Sequence, residues 1–278
     1  MTLQITWYGT ACFIAHLDGS NILFDPFFLR NENAQPIITT QPEEIDAIDA
    51  IFITHAHFDH ITEAGFFAEK LNVPVYCSST AKENIIRWMD GEIIEDHKEA
   101  FSKRAKQNIK TINYEDSIKI GSDLEIHPIK SCHISFDAKT ILSRLFSWSF
   151  LKQVKTISKY GRGFPQGKVF GYKLLYKDLS LITFGSLCTK YIQNLDQYKG
   201  CDVLLIPYAG NSTKHMVKKT IELIEVLKPK ILIPHHWDNF FPPLSREEDL
   251  NPLKEEIKQN YPDITLIILP FEDKTPII

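Results

Sequence analysis

The stretch "IFITHAHFDHI", residues 51–61, places His55, His57, Asp59 and His60 directly behind a run rich in β-branched residues. Ile51, Ile53 and Thr54 favour extended backbone, and the following "ITEAGFFAEKLN" has the apolar spacing of an amphipathic helix. The segment therefore reads as strand, turn, helix. Alternate side chains of a strand share a face, so His55 and His57 at the strand's end are expected to aim their imidazoles at a common point. Asp59 and His60 then stand at the helix entry. Imidazole nitrogens and carboxylate oxygens hold borderline cations such as Zn²⁺, and a catalytic site of that kind leaves one position open to water. A lone histidine is ordinarily a surface or satisfied core residue, whereas this spacing at a strand-to-helix junction supplies a set of ligands.

Upstream, "LQITWYG" and "ACFIAHLDGSNILFDPF" read as strands joined by a hairpin at the turn-forming "DGSN". Downstream, strands and helices alternate: "VPVYC", the helix "STAKENIIRWM", and short strands around 93–96, 109–113, 117–120 and 124–129. From residue 168 come "KVFGYKLLY", "LSLITFGS", "CDVLLIP", a helix over about 213–227, "KPKILIP", a helix over about 247–260, and "ITLIILP". Strands in two blocks, each followed by helices, imply α/β sheets covered by helices on their outer faces. No linker divides residues 1–278, so one domain is expected. Residues 138–167 interrupt the rhythm: Leu142, Leu145, Phe146, Trp148, Phe150 and Leu151 lie beside Arg144, Lys152, Lys155 and Lys159. They read as an amphipathic basic helix, an insertion or lid that offers peripheral membrane contact through 141–152.

Of the 278 residues, 44% are hydrophobic and 24% charged, which marks a soluble globular chain rather than a disordered one. The formal net charge of −4 argues against a broad electrostatic grip on nucleic acid, and "SKRAKQNIK" (102–110) reads as a solvated face. Cys12, Cys77, Cys132, Cys188 and Cys201 are odd in number, scattered and without a CxxC pair, so reduced thiols are expected. The amino terminus lacks the features of a signal peptide and no apolar run reaches the roughly 18 residues of a membrane span. The cytoplasm is the expected compartment.

With "WYGTACFIAHLDGSNILFDPF", "THAHFDH", "KSCHIS", "LITFGS" and "IPHHWDNF", the chain resembles the metallo-β-lactamase fold hydrolases over nearly its whole length. The resemblance implies a four-layer αββα sandwich with a metal site at one edge between the sheets. The branch most resembled contains L-ascorbate-6-phosphate lactonase and the phospholipase D that hydrolyses N-acyl-phosphatidylethanolamine. Carried over to this sequence, His55, His57 and His133 would bind one ion, and Asp59, His60 and His236 a second, with His235 the alternative to His236. Asp25 matches the family's supporting aspartate, which receives an imidazole N–H and raises ligand basicity; a plain strand-ending turn before Pro26 is the other reading. One or two divalent ions are implied, zinc first, with manganese or iron as alternatives.

Where related two-metal enzymes carry a bridging aspartate, this chain has Ser186. Two divalent ions about 3.5–4 Å apart repel, so a weakened second site, or one dominant ion, is expected. Cys188 reads either as a thiolate ligand or as a small buried side chain. His16, His97 and His127 are expected to be structural, and His215 either caps a helix start or stands at the cleft rim. The reaction implied is hydrolysis by a metal-activated hydroxide, with Asp59 orienting it and His235 or Tyr208 holding developing charge. Three functions stay open: a phosphodiesterase acting on a small-molecule or lipid-like substrate, a lactonase or other ester hydrolase, and a metal-binding interaction protein without catalysis. The oligomeric state is not legible.

Overall fold

The computed structural model describes residues 2–93, 99, 101–135 and 162–278. Most of the strand expected at 93–96, His97, and residues 138–161 of the expected lid lie outside the described residues.

The first sheet contains β1 (Leu3–Trp7), β2 (Phe13–Leu17), β3 (Ser20–Phe24), β4 (Ala50–Phe52), β5 (Val75–Cys77), β6 (Ile109–Thr111) and β14 (Lys274–Pro276). The second contains β7 (Ile118–Ile120), β8 (Leu124–Lys130), β9 (Phe170–Tyr176), β10 (Leu179–Phe184), β11 (Val203–Pro207), β12 (Ile231–His235) and β13 (Thr265–Leu266). Their orders are β14-β1-β2-β3-β4-β5-β6 and β13-β12-β11-β10-β9-β8-β7. Both sheets are mixed in the same way. From β14 through β3 every pairing is antiparallel, and from β3 through β6 every pairing is parallel. The second sheet repeats the pattern, antiparallel from β7 through β10 and parallel from β10 through β13.

Strand alternation explains the layering. Ile51 and Ile53 face α2 (Ala64–Leu71) and α3 (Ser79–Met89), with Phe67, Ile85 and Trp88 in the same core. Phe52, between them, points the other way and joins Phe24, Phe170, Tyr172 and Leu205 in the core between the sheets. On the far side Leu204 and Ile206 pack against α5 (Thr213–Leu227), whose Met216, Thr220, Leu223, Ile224 and Leu227 form its buried stripe, and against Leu253 and Ile257 of α6 (Asn251–Asn260). Both faces of each sheet are therefore covered, which is why the central strands carry nearly continuous apolar runs. The result is the αββα sandwich.

Some boundaries differ from the sequence reading. The last helix begins at Asn251 rather than about 247, with Pro252 in its first turn, and the Glu248 backbone N–H instead donates to the Trp237 carbonyl at 2.8 Å. The basic run at 102–110 contains α4 (Lys103–Asn108), capped by the Ser102 side chain. The reduced-thiol expectation fails for two residues: Cys132 and Cys188 are joined in a disulfide with Cα atoms 5.6 Å apart, which removes Cys188 as a thiolate ligand. The sheet edge after β8 and the loop after β10 bring together cysteines separated by 56 residues, a pairing no local motif announces. Cys12, Cys77 and Cys201 are free and buried. No helix among the described residues is long and apolar enough to cross a membrane.

Candidate metal centre

β4 ends at Phe52, so His55 and His57 sit not on the strand but on the loop beyond it, with His57 the residue directly before α1 (Phe58–Ile61). It is the loop's shape, more than strand alternation, that aims them together, His55 Nε2 lying 3.2 Å from His57 Nδ1. The loop is fixed from both sheets. Tyr172 Oη donates to the Ile53 carbonyl at 2.6 Å, the Phe170 N–H donates to the Thr54 carbonyl at 2.7 Å, and the Ala56 N–H donates to the Gln166 carbonyl at 3.0 Å. Asn84 adds a side-chain bond to the Ala56 carbonyl at 3.0 Å.

Asp25, directly after β3, is wholly buried and takes a left-handed backbone, φ 43°, a conformation that Asp tolerates better than most residues. Its Oδ1 accepts from the Thr54 N–H at 2.7 Å, and its Oδ2 accepts from Thr54 Oγ1 at 2.6 Å and pairs with His60 Nδ1 at 2.8 Å. That last bond places the proton on Nδ1 and leaves the Nε2 lone pair free, 3.7 Å from Asp59 Oδ2. The turn reading of Asp25 is also true, but its carboxylate organises the loop. Thr54, unremarked in the sequence, is the hinge of this arrangement, and Gly185 leaves room for it: a Cβ there would lie 1.9 Å from Thr54 Oγ1.

The second sheet contributes the other two histidines. His133 follows β8, and its Nδ1 donates to the Ile134 carbonyl at 2.9 Å, which again turns Nε2 outward. The Ile134 N–H donates to Ser186 Oγ at 2.9 Å. Ser186 thus lines the site while its hydroxyl fastens the His133 loop. His236 follows β12 in a left-handed backbone, φ 61°, a strained state for a histidine that recurs at functional sites. Asp238 secures that loop, accepting from the Thr10 N–H at 2.8 Å and from Arg30 Nη2 at 2.9 Å.

Two groups of donors result. His55, His57 and His133 have one ligand atom each within 4.8 Å of one another, and so do Asp59, His60 and His236. His236 Nε2 lies 3.5 Å from Asp59 Oδ2, and the His55 and His60 rings stand 3.9 Å apart, centroid to centroid. Burial and the crowding of neighbouring imidazoles push His55 well below the usual histidine value and His57 down to about 4, while burial lowers His133. For His60, burial is outweighed by Asp25 and Asp59, and its value rises. Burial would also raise Asp59, but His60 and His236 outweigh it and hold the carboxyl ionised, well below the usual carboxylate range. Neutral imidazoles at His55, His57 and His133 beside the ionised Asp59 fit a divalent cation.

The remaining candidates lie elsewhere. His235 is fully buried and faces Phe13 rather than the cavity. Tyr208 is fully buried with an unpartnered hydroxyl, and burial raises its pKa. Neither is among the cavity's lining residues, nor is His215 in the first turn of α5. His16 bonds Thr6 and Asn21, and His127 pairs with Glu125 at 3.5 Å.

The donors form the floor of a cavity of about 310 Å³. Its walls are mostly apolar, with Phe58, Ile134, Phe164, Leu187, Phe240 and Leu244. Phe164, at the end of the expected lid, is buried against Phe58 and Trp88. Arg246 also lines the cavity, its guanidinium set by Glu248 Oε1 at 2.9 Å and the Asn211 carbonyl at 3.3 Å. Sequence reading missed it because "SREEDL" looks like any polar loop.

A family model for the Beta-lactamase superfamily domain matches residues 20–237. A UPF0173 metal-dependent hydrolase of Pyrococcus furiosus is 24% identical over 248 residues, 89% of each chain. Another, of Methanopyrus kandleri, is 25% identical over 274 residues, 96% of each chain. Among solved structures, Igni18, a metallo hydrolase from Ignicoccus hospitalis, matches with TM-score 0.66 at 18% identity, covering 100% of this chain and 99% of that one. An isothiocyanate hydrolase from Delia radicum gut bacteria matches with TM-score 0.57 at 15% identity, covering 99% and 98%.

Proposed function

The chain belongs to the Beta-lactamase superfamily domain family and is a metal-dependent hydrolase like its relatives; from that premise we propose that it cleaves a phosphodiester attached to an apolar, lipid-like body. His55, His57 and His133 would hold one divalent ion and Asp59, His60 and His236 another, zinc before manganese or iron. A divalent ion there supplies Lewis acidity and lowers the pKa of water toward about 7. Asp59, kept ionised between His60 and His236, accepts a hydrogen bond from the attacking water and orients it. Asp25 holds His60 in the tautomer that presents Nε2. The aromatic and aliphatic walls take the apolar body and exclude bulk water, which strengthens every charge interaction on the floor.

The observation that carries the substrate class is Arg246 in this mostly apolar wall. A guanidinium matches the non-bridging oxygens of a phosphodiester; Glu248 holds it through Nε and the Asn211 carbonyl through Nη2, which leaves Nη1 as the group to meet a phosphoryl oxygen. A neutral lactone offers it much less. The test is a panel of bis-p-nitrophenyl phosphate, phospholipid vesicles, simple esters and lactones. Phosphodiesters should exceed lactones at least tenfold in kcat/KM, and R246A should erase most of that preference. Faster lactone turnover would overturn the reading, and no turnover of any compound would favour a metal-binding protein without catalysis.

Ser186 bears on the metal count. Its hydroxyl is committed to the Ile134 N–H, and Asp59 is the carboxylate of the two donor groups, so little negative charge separates two cations. We expect close to one tightly held equivalent after dialysis, read by mass spectrometry; two would sink the weakened second site.

A further inference from the structure

Beyond His133 and Ile134, which it shares with the metal cavity, opens a second cavity of about 660 Å³. Its character is the reverse of the first. Lys168, Lys190 and Lys219 line it with Tyr114, Tyr191 and Thr189, and among the described residues no carboxylate lines it. A fourth cation stands beside it, Lys130 Nζ, 4.6 Å from the centre of the Tyr191 ring. Lys190 Nζ is 5.5 Å from the same ring, and Lys168 Nζ is 5.6 Å from that of Tyr114. Lys168 also donates to Asn113 Oδ1 at 2.6 Å.

In a chain with more acidic than basic residues, lysines ordinarily meet carboxylates. Glu222, beside the cavity, accepts from Thr189 Oγ1 at 2.7 Å and lies 3.9 Å from Lys218. The ammonium groups of Lys130, Lys168 and Lys190 rest against aromatic rings, an arrangement that positions a cation without neutralising it. Like charges gathered this way repel, and an anion between them relieves that cost. The Cys132–Cys188 bridge, also in the lining, ties the loop after β8 to the loop after β10 and so fixes the wall between the two cavities.

We propose that this cavity is a binding subsite for a phosphate-bearing, anionic head group, the polar end of the same substrate whose apolar end fills the chamber beside Arg246. The inference rests on the phosphodiester reading for its connection to the metal floor, and the two can fail separately. Binding is tested on the metal-free protein at low ionic strength with inorganic pyrophosphate as the probe, by lysine acetylation read residue by residue. Pyrophosphate should slow the labelling of Lys168, Lys190 and Lys219 at least fivefold relative to the exposed Lys254 and Lys258, and 0.5 M salt should abolish the effect. Uniform labelling with and without pyrophosphate would overturn the subsite whatever the enzyme hydrolyses.

Its link to the substrate is tested on the metal-loaded enzyme with the triple variant K168A/K190A/K219A. The kcat/KM ratio between a phosphodiester bearing a second phosphate and bis-p-nitrophenyl phosphate should fall at least tenfold, mainly through KM, and the Lys→Arg triple variant should restore it. An unchanged ratio, or a loss the arginines do not rescue, would refute the link to the substrate.

Discussion

The two sheets are built to one plan, with three antiparallel pairings followed by three parallel ones, yet they contribute unequally to the site. In the first sheet the loop after β4 carries His55, His57, Asp59 and His60, while in the second the matching loop after β11 carries no donor, and His133 comes from the loop after β8 and His236 from the loop after β12. The first parallel strand of each sheet ends in the residue that steadies the ligands. After β3 it is Asp25, whose carboxylate takes three hydrogen bonds and touches a ligand directly. After β10 it is Ser186, whose hydroxyl holds the backbone beside His133. A symmetric frame thus leaves the division of labour to its loops, and a carboxylate in one half has a neutral counterpart in the other.

The contrast is broken most strongly at Asp25. D25A strips the acceptor from Thr54 and His60 in a fully buried place, where each orphaned polar group costs about 1–3 kcal/mol. Activity should fall about 100-fold, the upper range for a group that supports a metal ligand, with parallel loss of bound metal by mass spectrometry and a lowered melting temperature.

Next comes Glu63, on the first-sheet side, which accepts from the Phe28 N–H at 2.6 Å and whose burial raises its pKa from 4.5 to about 7. Its folded value lies above its unfolded one, so the folded state binds the extra proton between them. Stability is fullest below pH 4.5 and is lost as pH rises through about 7, by about 3 kcal/mol in all. The depressed His55, His57 and His133 act in the opposite sense, adding stability as pH rises, so the measurement is the difference in denaturant stability between the parent chain and E63Q, which should fall by that amount from pH 4.5 to 8.

Gly185 stands where the halves meet, and G185A should cost about 1–3 kcal/mol through overpacking against Thr54. A melting temperature equal to that of the parent chain would show that Thr54 yields more easily than its bonds to Asp25 suggest. The smallest effect is expected at Ser186, where S186A removes the side-chain acceptor of the Ile134 N–H. About a tenfold loss in metal affinity, with the fold intact by circular dichroism, would confirm that the second sheet's tether is the weaker one.

How much of this was legible follows the range over which each signal acts. The β-runs and the His55–His60 motif are local, and the loop could be read as a ligand source from eleven consecutive residues. His133, His236 and Asp25 entered through resemblance, and the folded chain brings the two histidines to the floor with Asp25 buried behind His60. What escaped was set by distant partners. Thr54 matters because Asp25 and Gly185 approach it, Glu63 because the chain buries it under Phe28, and Cys132 because the β8–β9–β10 meander carries it to Cys188. The basic cavity draws Lys168, Lys190 and Lys219 from separate segments, so no stretch of sequence displays it. "SKRAKQNIK", the basic run that does stand out, forms a short capped helix away from both cavities.

The hydrogen bonds from Tyr172 and Phe170 to the loop after β4 make the donor floor a seam, closed only when the two sheets are docked. Any cation captured there favours the docked state over every opened one, by RT ln(1 + [L]/Kd), so occupancy and conformational stability are thermodynamically linked. Chelation should accordingly lower the melting temperature of the whole molecule as well as silence it, and should speed hydrogen exchange at the Thr54 and Phe170 amides, on opposite sides of that seam.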